Sequence, residues 1–206
     1  MAITVVTPAS STKLTTVASA KEMLGIASGD TTYDTLLGSM IDRATAAIET
    51  YCNRKFGKTT IDETLAGDGM SNLRLARFPV ISITSITLEG VTVPSTEYTL
   101  QQPESGLVFA EDEWEFTYGK FSYTVRYQYG YVLPGDGGTR TLPYDIEQAC
   151  LELTRNMFVS KDRDSSIVKE SVAQVYSTEY GSLSGQRSAM GPEIESLLAP
   201  YRMYRI

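Results

Sequence analysis

Four acids, Glu111, Asp112, Glu113 and Glu115, surround the single tryptophan of the chain, Trp114. Paired carboxylates beside an aromatic platform are what glycoside hydrolysis uses, one as acid and one as base or nucleophile. Acids packed this densely repel one another unless water reaches them, so the cluster reads as a solvated stretch with one anchoring aromatic. The chain has no histidine. That removes the Ser-His-Asp and Cys-His nucleophile arrangements, the commonest general base and the usual metal ligand. Cys52 and Cys150 are the only cysteines. Two thiols so far apart make neither a disulfide framework nor a zinc site. Both lie among apolar residues of predicted helices, where free cysteine behaves as a small hydrophobe. Gly135-Asp136-Gly137-Gly138 lacks the lysine and the strand-to-helix setting of a phosphate loop. The chemistry-bearing residues therefore point away from an enzyme, without cofactor or metal, and toward a structural, partner-binding protein.

Charge and length narrow the partners. The net charge is −7, so the chain has no general pull toward a phosphate backbone. The two N-terminal helices carry no basic face, and the connection from Gly25 to Thr31 is too loose for a helix-turn-helix. No stretch approaches the roughly 20 apolar residues of a membrane span, and Met1–Ser10 lacks the pattern of a signal peptide. The sparse cysteines suit a reducing compartment. A length of 206 residues fits one domain with an appended arm, or two small domains.

The elements follow from periodicity. Residues 1–13, rich in Thr, Ser and Ala, read as an extended N-terminal arm. Thr16 suits the N-cap of a short helix with Val17, Ala20, Met23 and Leu24 at helical spacing, and Gly25 suits its end. A long helix runs from about Thr32 to Asn53, with Leu37, Met40, Ile41, Ala44, Ala47, Ile48 and Tyr51 on one stripe. Asp30 or Thr31 can cap its start. The period then changes to two. Strands are predicted at Ile61–Leu65, Leu73–Leu75, Val80–Leu88, Tyr98–Leu100, Leu107–Phe109, Trp114–Tyr118 and Phe121–Tyr131. In Val80–Leu88 the apolar phase slips between Ile81/Ile83 and Ile86/Leu88, which predicts a bulge. In Phe121–Tyr131, Phe121, Tyr123, Val125, Tyr127, Tyr129 and Tyr131 alternate with polar residues or glycine, the mark of a half-buried strand. This tyrosine stripe suits core or interface. A third helix opens at Leu142-Pro143, carries Ile146, Ala149, Cys150, Leu153 and Met157 on its apolar face, and stops near Ser160. Ile167–Tyr180 suits an extended or hairpin arm. Gly191-Pro192 opens a last short helix.

The fold class is α+β: a helical-bundle core, an inserted antiparallel β module and extended terminal arms. The division is 1–13 (arm), 14–57 (helical part), 58–140 (β module), 141–160 (third core helix) and 161–206 (C-terminal arm with a short helix). Leu37, Ile41, Ile48, Ile146, Leu153 and Met157 form the expected contact between the long and third helices.

The order of particular segments carries a resemblance. Thr16 to Ile26 precedes Ala44-Thr45-Ala46-Ala47-Ile48-Glu49-Thr50-Tyr51-Cys52-Asn53-Arg54-Lys55-Phe56. Phe78-Pro79-Val80-Ile81-Ser82-Ile83, then Val125-Arg126-Tyr127-Gln128-Tyr129-Gly130-Tyr131, then Leu142-Pro143-Tyr144-Asp145-Ile146-Glu147-Gln148-Ala149 follow. This set resembles the head–tail connector, adaptor or head completion proteins of tailed bacteriophages, over about residues 14–160 and again at Leu197-Leu198-Ala199-Pro200-Tyr201. The resemblance implies a structural virion protein at the neck, made in the host cytoplasm. It would form a ring of its own copies, dodecameric in such proteins, beneath the portal protein. A stopper or tail-completion protein would lie below, and DNA would pass through without sequence-specific binding. The β module is long beside the smallest members of that family.

The C-terminal arm is the expected interface. Ile194, Leu197, Leu198, Tyr201 and Tyr204 are apolar or aromatic at nearly regular spacing, suited to a partner's groove. Arg202 and Arg205 can pair with acids there. The resemblance makes that partner the portal or a neighbouring copy. The rival reading is a tail-associated carbohydrate- or receptor-binding module that uses the tyrosine-rich β part.

Overall fold

Strand Ser122–Tyr129 shows why the middle of the sequence folds as it does. Tyr123, Val125, Tyr127 and Tyr129 are all buried, whereas Arg126 between them is exposed. Period-two alternation has put one face of this strand in a core and left the other at the surface. The computed structural model describes residues 2–67, 69–111, 116, 122–161, 169–172, 176–179 and 190–203. The chain divides into two compact units, Met1–Thr12 with Lys55–Leu142 and Lys13–Arg54 with Pro143–Ile206.

The first unit is β-structured. Its strands are β1 (Ala2–Thr7), β2 (Thr59–Ala66), β3 (Asn72–Arg74), β4 (Val80–Leu88), β5 (Val91–Val93), β6 (Tyr98–Gln102), β7 (Leu107–Ala110) and β8 (Ser122–Tyr129). They form a five-stranded sheet in the order β1-β2-β8-β4-β5 and a three-stranded sheet in the order β3-β7-β6. Every pair is antiparallel. The central strand β8 pairs along its whole length with β2, from Thr59 opposite Tyr129 to Ala66 opposite Ser122. The phase slip expected in Val80–Leu88 is present: the register of β4 against β8 shifts between Val80 and Ser82 and again between Ile83 and Ser85. The β4–β5 turn places Glu89 and Gly90 at φ 48° and 88°, as a two-residue hairpin turn with right-twisted strands requires. The core gathers Ile61, Leu73, Leu75, Val80, Ile86, Val93, Val108 and Phe116 around the β8 face. The tyrosine stripe is therefore core at Tyr123, Tyr127 and Tyr129. Of the expected strand Trp114–Tyr118, only Phe116 lies among the described residues, and Phe121 lies outside them.

Inside that core sits a fully buried carboxyl. Glu63 Oε2 accepts from the Tyr127 hydroxyl at 2.5 Å and from Ala76 N–H at 3.1 Å. Tyr127 Oη in turn accepts from Arg77 N–H at 3.2 Å. The knot ties the turn after β3 to β2 and β8. Burial raises the Glu63 pKa above the ordinary carboxyl value, although the bonds from Tyr127 and Ala76 act the other way. The Tyr127 hydroxyl is likewise pushed up, by burial and by its bond to Glu63.

The second unit is mainly helical, with α1 (Val17–Leu24), α2 (Asp34–Cys52), α3 (Tyr144–Val159), α4 (Pro192–Leu198) and the hairpin strands β9 (Lys169–Val172) and β10 (Tyr176–Glu179). Thr16 caps α1 by accepting from Ser19 N–H at 3.1 Å, and Gly25 closes it at φ 69°. The long helix starts later than its sequence suggests. Asp30 Oδ1 accepts from Thr32 N–H at 2.9 Å, which makes a local turn, and the N-cap position falls to Tyr33, without a side-chain cap. Helix α2 packs on α3, with Leu37, Ile41, Ile48 and Ile146 fully buried and Leu153 nearly so. Met157 is only half-buried, because the end of the α3 stripe has turned toward the rim. Lys21, buried on α1, reaches Asp34 at the start of α2 at 2.5 Å, and Thr15 Oγ1 donates to the buried Glu147 of α3 at 3.0 Å. No helix among the described residues is long and apolar enough to cross a membrane.

Candidate interaction surface

The groups that could do chemistry are placed for structure. Cys52 and Cys150 are fully buried, and burial pushes their thiols up to about 11 and about 12. Thiols so protonated are poor nucleophiles and poor metal ligands. Of the acidic cluster, Glu111 is described; its N–H donates to Glu97 O at 2.9 Å, and Asp112, Glu113 and Glu115 lie outside the described residues. Among the described residues no group of three acids or thiols is arranged to hold a metal ion.

The C-terminal segment has a defined seat within its own unit. Gly191 at φ 78° and Pro192 start α4, proline being favoured in a first turn where its missing N–H has no helical partner. Ile194 and Leu198, four residues apart, share one helix face and are 3% and 0% exposed. That face lies on α3. A 3-10 turn, Ala199–Tyr201, follows, and the chain is then fastened to two other helices. The Tyr201 hydroxyl donates to Asp145 Oδ2 in the first turn of α3 at 3.2 Å. Met203 N–H donates to Cys52 O at the end of α2 at 2.9 Å. Asn53 Nδ2 donates to Met203 O at 3.3 Å. The Arg202 guanidinium lies 5.1 Å from the centre of the Tyr51 ring, within range for a cation–π contact.

Of the seven residues assigned to the interface from sequence, the structure thus brings Ile194, Leu197, Leu198, Tyr201 and Arg202 onto one short segment. Ile194 and Leu198 face inward, Leu197 and Tyr201 are half-buried, and Arg202 is exposed. Tyr204 and Arg205 lie outside the described residues. Ile194 and Leu198 are buried within their own unit: an amphipathic stripe suits a groove of its own chain as well as one on a partner. Sequence reading also missed the receiving side, namely Tyr51, Asn53 and Asp145. Only Asn53 carries a local signal there, as the left-handed C-cap of α2 at φ 53°. Tyr144, next to Asp145, is 78% exposed. Half-buried aromatics, an exposed tyrosine and an arginine are the residue types enriched where proteins meet.

Residues 13–204 match the profile of a family described as head completion protein. Three solved structures are similar to the chain, each at 18% identity and each covering 100% of this chain and 97% of the other. They are the neck of an empty gene transfer agent particle with C6 symmetry (TM-score 0.61), the virion of a native gene transfer agent particle (0.60) and the neck of a native particle with C12 symmetry (0.59). At this identity the likeness is one of fold. No curated protein matches the chain.

Proposed function

Since the chain belongs to the head completion protein family, we infer that it is a structural protein of a virion neck, joining the head of a tailed phage or phage-like particle to its tail. The observation that carries this reading is the family match over residues 13–204, and the full-length likeness of fold to chains of neck structures supports it. In the finer form of the reading, copies of the chain form a ring beneath the portal protein. A stopper or tail-completion protein is held on the far side, and the ring lines the channel for DNA. A net charge of −7 suits such a wall. Counterions stay with the phosphates when no cationic surface displaces them, so DNA slides without sticking. The task is binding and alignment, with no reaction step.

Within this reading Ile194 and Leu198 hold the C-terminal segment on its own α3, while Leu197, Tyr201, Arg202 and the residues that follow, Tyr204 and Arg205, meet the portal or a neighbouring copy. The test is sedimentation of the purified chain with purified portal rings of the same particle, followed by electron microscopy of the fractions. Co-migration, with added density on one end of the portal, is expected. A chain that never leaves the top of the gradient contradicts the reading.

A further inference from the structure

We propose that β1 of one copy is the acceptor strand for the β9–β10 hairpin of a second copy, so that strand addition links neighbours in the ring. The proposal rests on the ring reading above.

The first observation is an open edge. Among the described residues β1 is the end strand of the five-stranded sheet. Its residues Ala2-Ile3-Thr4-Val5-Val6-Thr7 include no charge and no proline, the devices by which edge strands ordinarily repel additional strands. The second observation is an uncovered stretch of core face. Ile3 pairs opposite Glu63 and Val5 opposite Ile61, and side chains directly opposite one another lie on the same face of a sheet. Glu63 and Ile61 are buried at 0% and 1% exposure, yet Ile3 and Val5 stand at 39% and 57%. The face that carries the core continues onto β1 and is left exposed there.

The third observation concerns the other half of the contact. β9 and β10 pair only with each other among the described residues, Lys169 opposite Glu179 through Val172 opposite Tyr176. A two-stranded hairpin is marginal in water without a third strand or a surface beneath it. Adding it to an exposed edge supplies main-chain hydrogen bonds to both sides, as in strand-addition complexes. The far end of the same sheet is a poorer acceptor. β5 has three residues and is followed directly by Pro94, which cannot donate to a ladder.

A second copy is the occupant that follows, because among the described residues each chain carries both the β1 edge and the hairpin. The two halves are then matched in number whatever the ring size. Such a head-to-tail contact repeats from copy to copy and closes when the rotation per copy divides a full turn.

The experiment uses two variants of the full chain. Val5→Lys blocks the acceptor, at a side chain exposed enough to carry a charge without entering the core. Replacement of residues 169–179 by a glycine–serine stretch of equal length removes the donor. Sedimentation velocity reads assembly, and circular dichroism verifies the fold of each. The wild type is expected to assemble as its concentration rises, and each variant alone to remain a monomer. An equimolar mixture of the two is expected to give a one-to-one heterodimer and nothing larger, since only one productive contact exists between them. Assembly of either variant to the wild-type size overturns the proposal, as does a mixture that stays monomeric. If wild type and variants all form rings, this contact alone fails. If the wild type never assembles, alone or on portal rings, the ring reading fails and the contact with it.

Discussion

Truncation after Gly191 removes α4 and everything beyond it, and the structure gives that loss a size. Ile194 and Leu198 are 3% and 0% exposed. Full burial of an aliphatic side chain is worth about 1.5–3 kcal/mol, so the two together stabilise the helical unit by about 3–6 kcal/mol. The hydrogen bond from Met203 to the Cys52 carbonyl contributes about 1 kcal/mol more. Removing the segment also exposes the α3 surface that it covers. Against a typical domain stability of about 5–15 kcal/mol, the truncated chain is expected to lose a large part of its margin. Urea unfolding followed by far-ultraviolet circular dichroism measures it, as a lower midpoint for the helical signal. Leu198→Ala, which leaves the backbone whole, is expected to cost about 2–5 kcal/mol by the lost side chain and the cavity left behind. A truncated chain with the midpoint and slope of the full-length protein would refute the reasoning.

Ile48→Ala, in the α2 stripe against α3, is expected to cost about 2–5 kcal/mol in the same assay, since Ile48 is fully buried. Gly130→Ala is expected to lower the melting temperature of the β unit: Gly130 sits at φ 98°, and an added Cβ would lie 2.7 Å from Gly57 O and 2.8 Å from Phe56 O, a conformational strain of about 1–3 kcal/mol before the clash is counted. Glu63 has a raised carboxyl pKa in the fold, so on raising the pH the unfolded chain releases that proton first and stability falls with pH. Its stabilisation is fully present below the ordinary carboxyl value of 4.5 and lost as pH passes the raised one; unfolding measured across that window is expected to slope downward for the wild type and to flatten for Glu63→Gln. Arg202→Glu is expected to leave the circular dichroism spectrum unchanged and to weaken co-sedimentation with portal rings, because Arg202 is exposed on the proposed contact face.

Local signals were legible in the sequence and distant ones were not. Thr16 and Gly25 mark the ends of α1 because a cap acts on the turn beside it. The bulges of β4 show in the sequence because each extra residue shifts the side-chain phase by one. The start of α2 misleads because Asp30 binds Thr32 N–H in a turn of its own, before the helix begins. Ile3, Val5 and Val6 have strand-forming side chains, but their partner strand starts at Thr59, and no pattern within residues 1–13 announces a pairing over that separation. Val91–Val93 is too short to show a period. At the candidate interface the spacing of Ile194 and Leu198 announces an apolar face and does not say whose groove fills it; packing on α3 decides that.

The central claim is that the chain joins head to tail at the neck, and electron cryomicroscopy of purified particles that carry it tests this most directly. The account predicts that the chain's helical unit and β unit fit density between portal and tail, repeated around the axis in a closed ring. Density for the chain at the distal tip of the tail would contradict it.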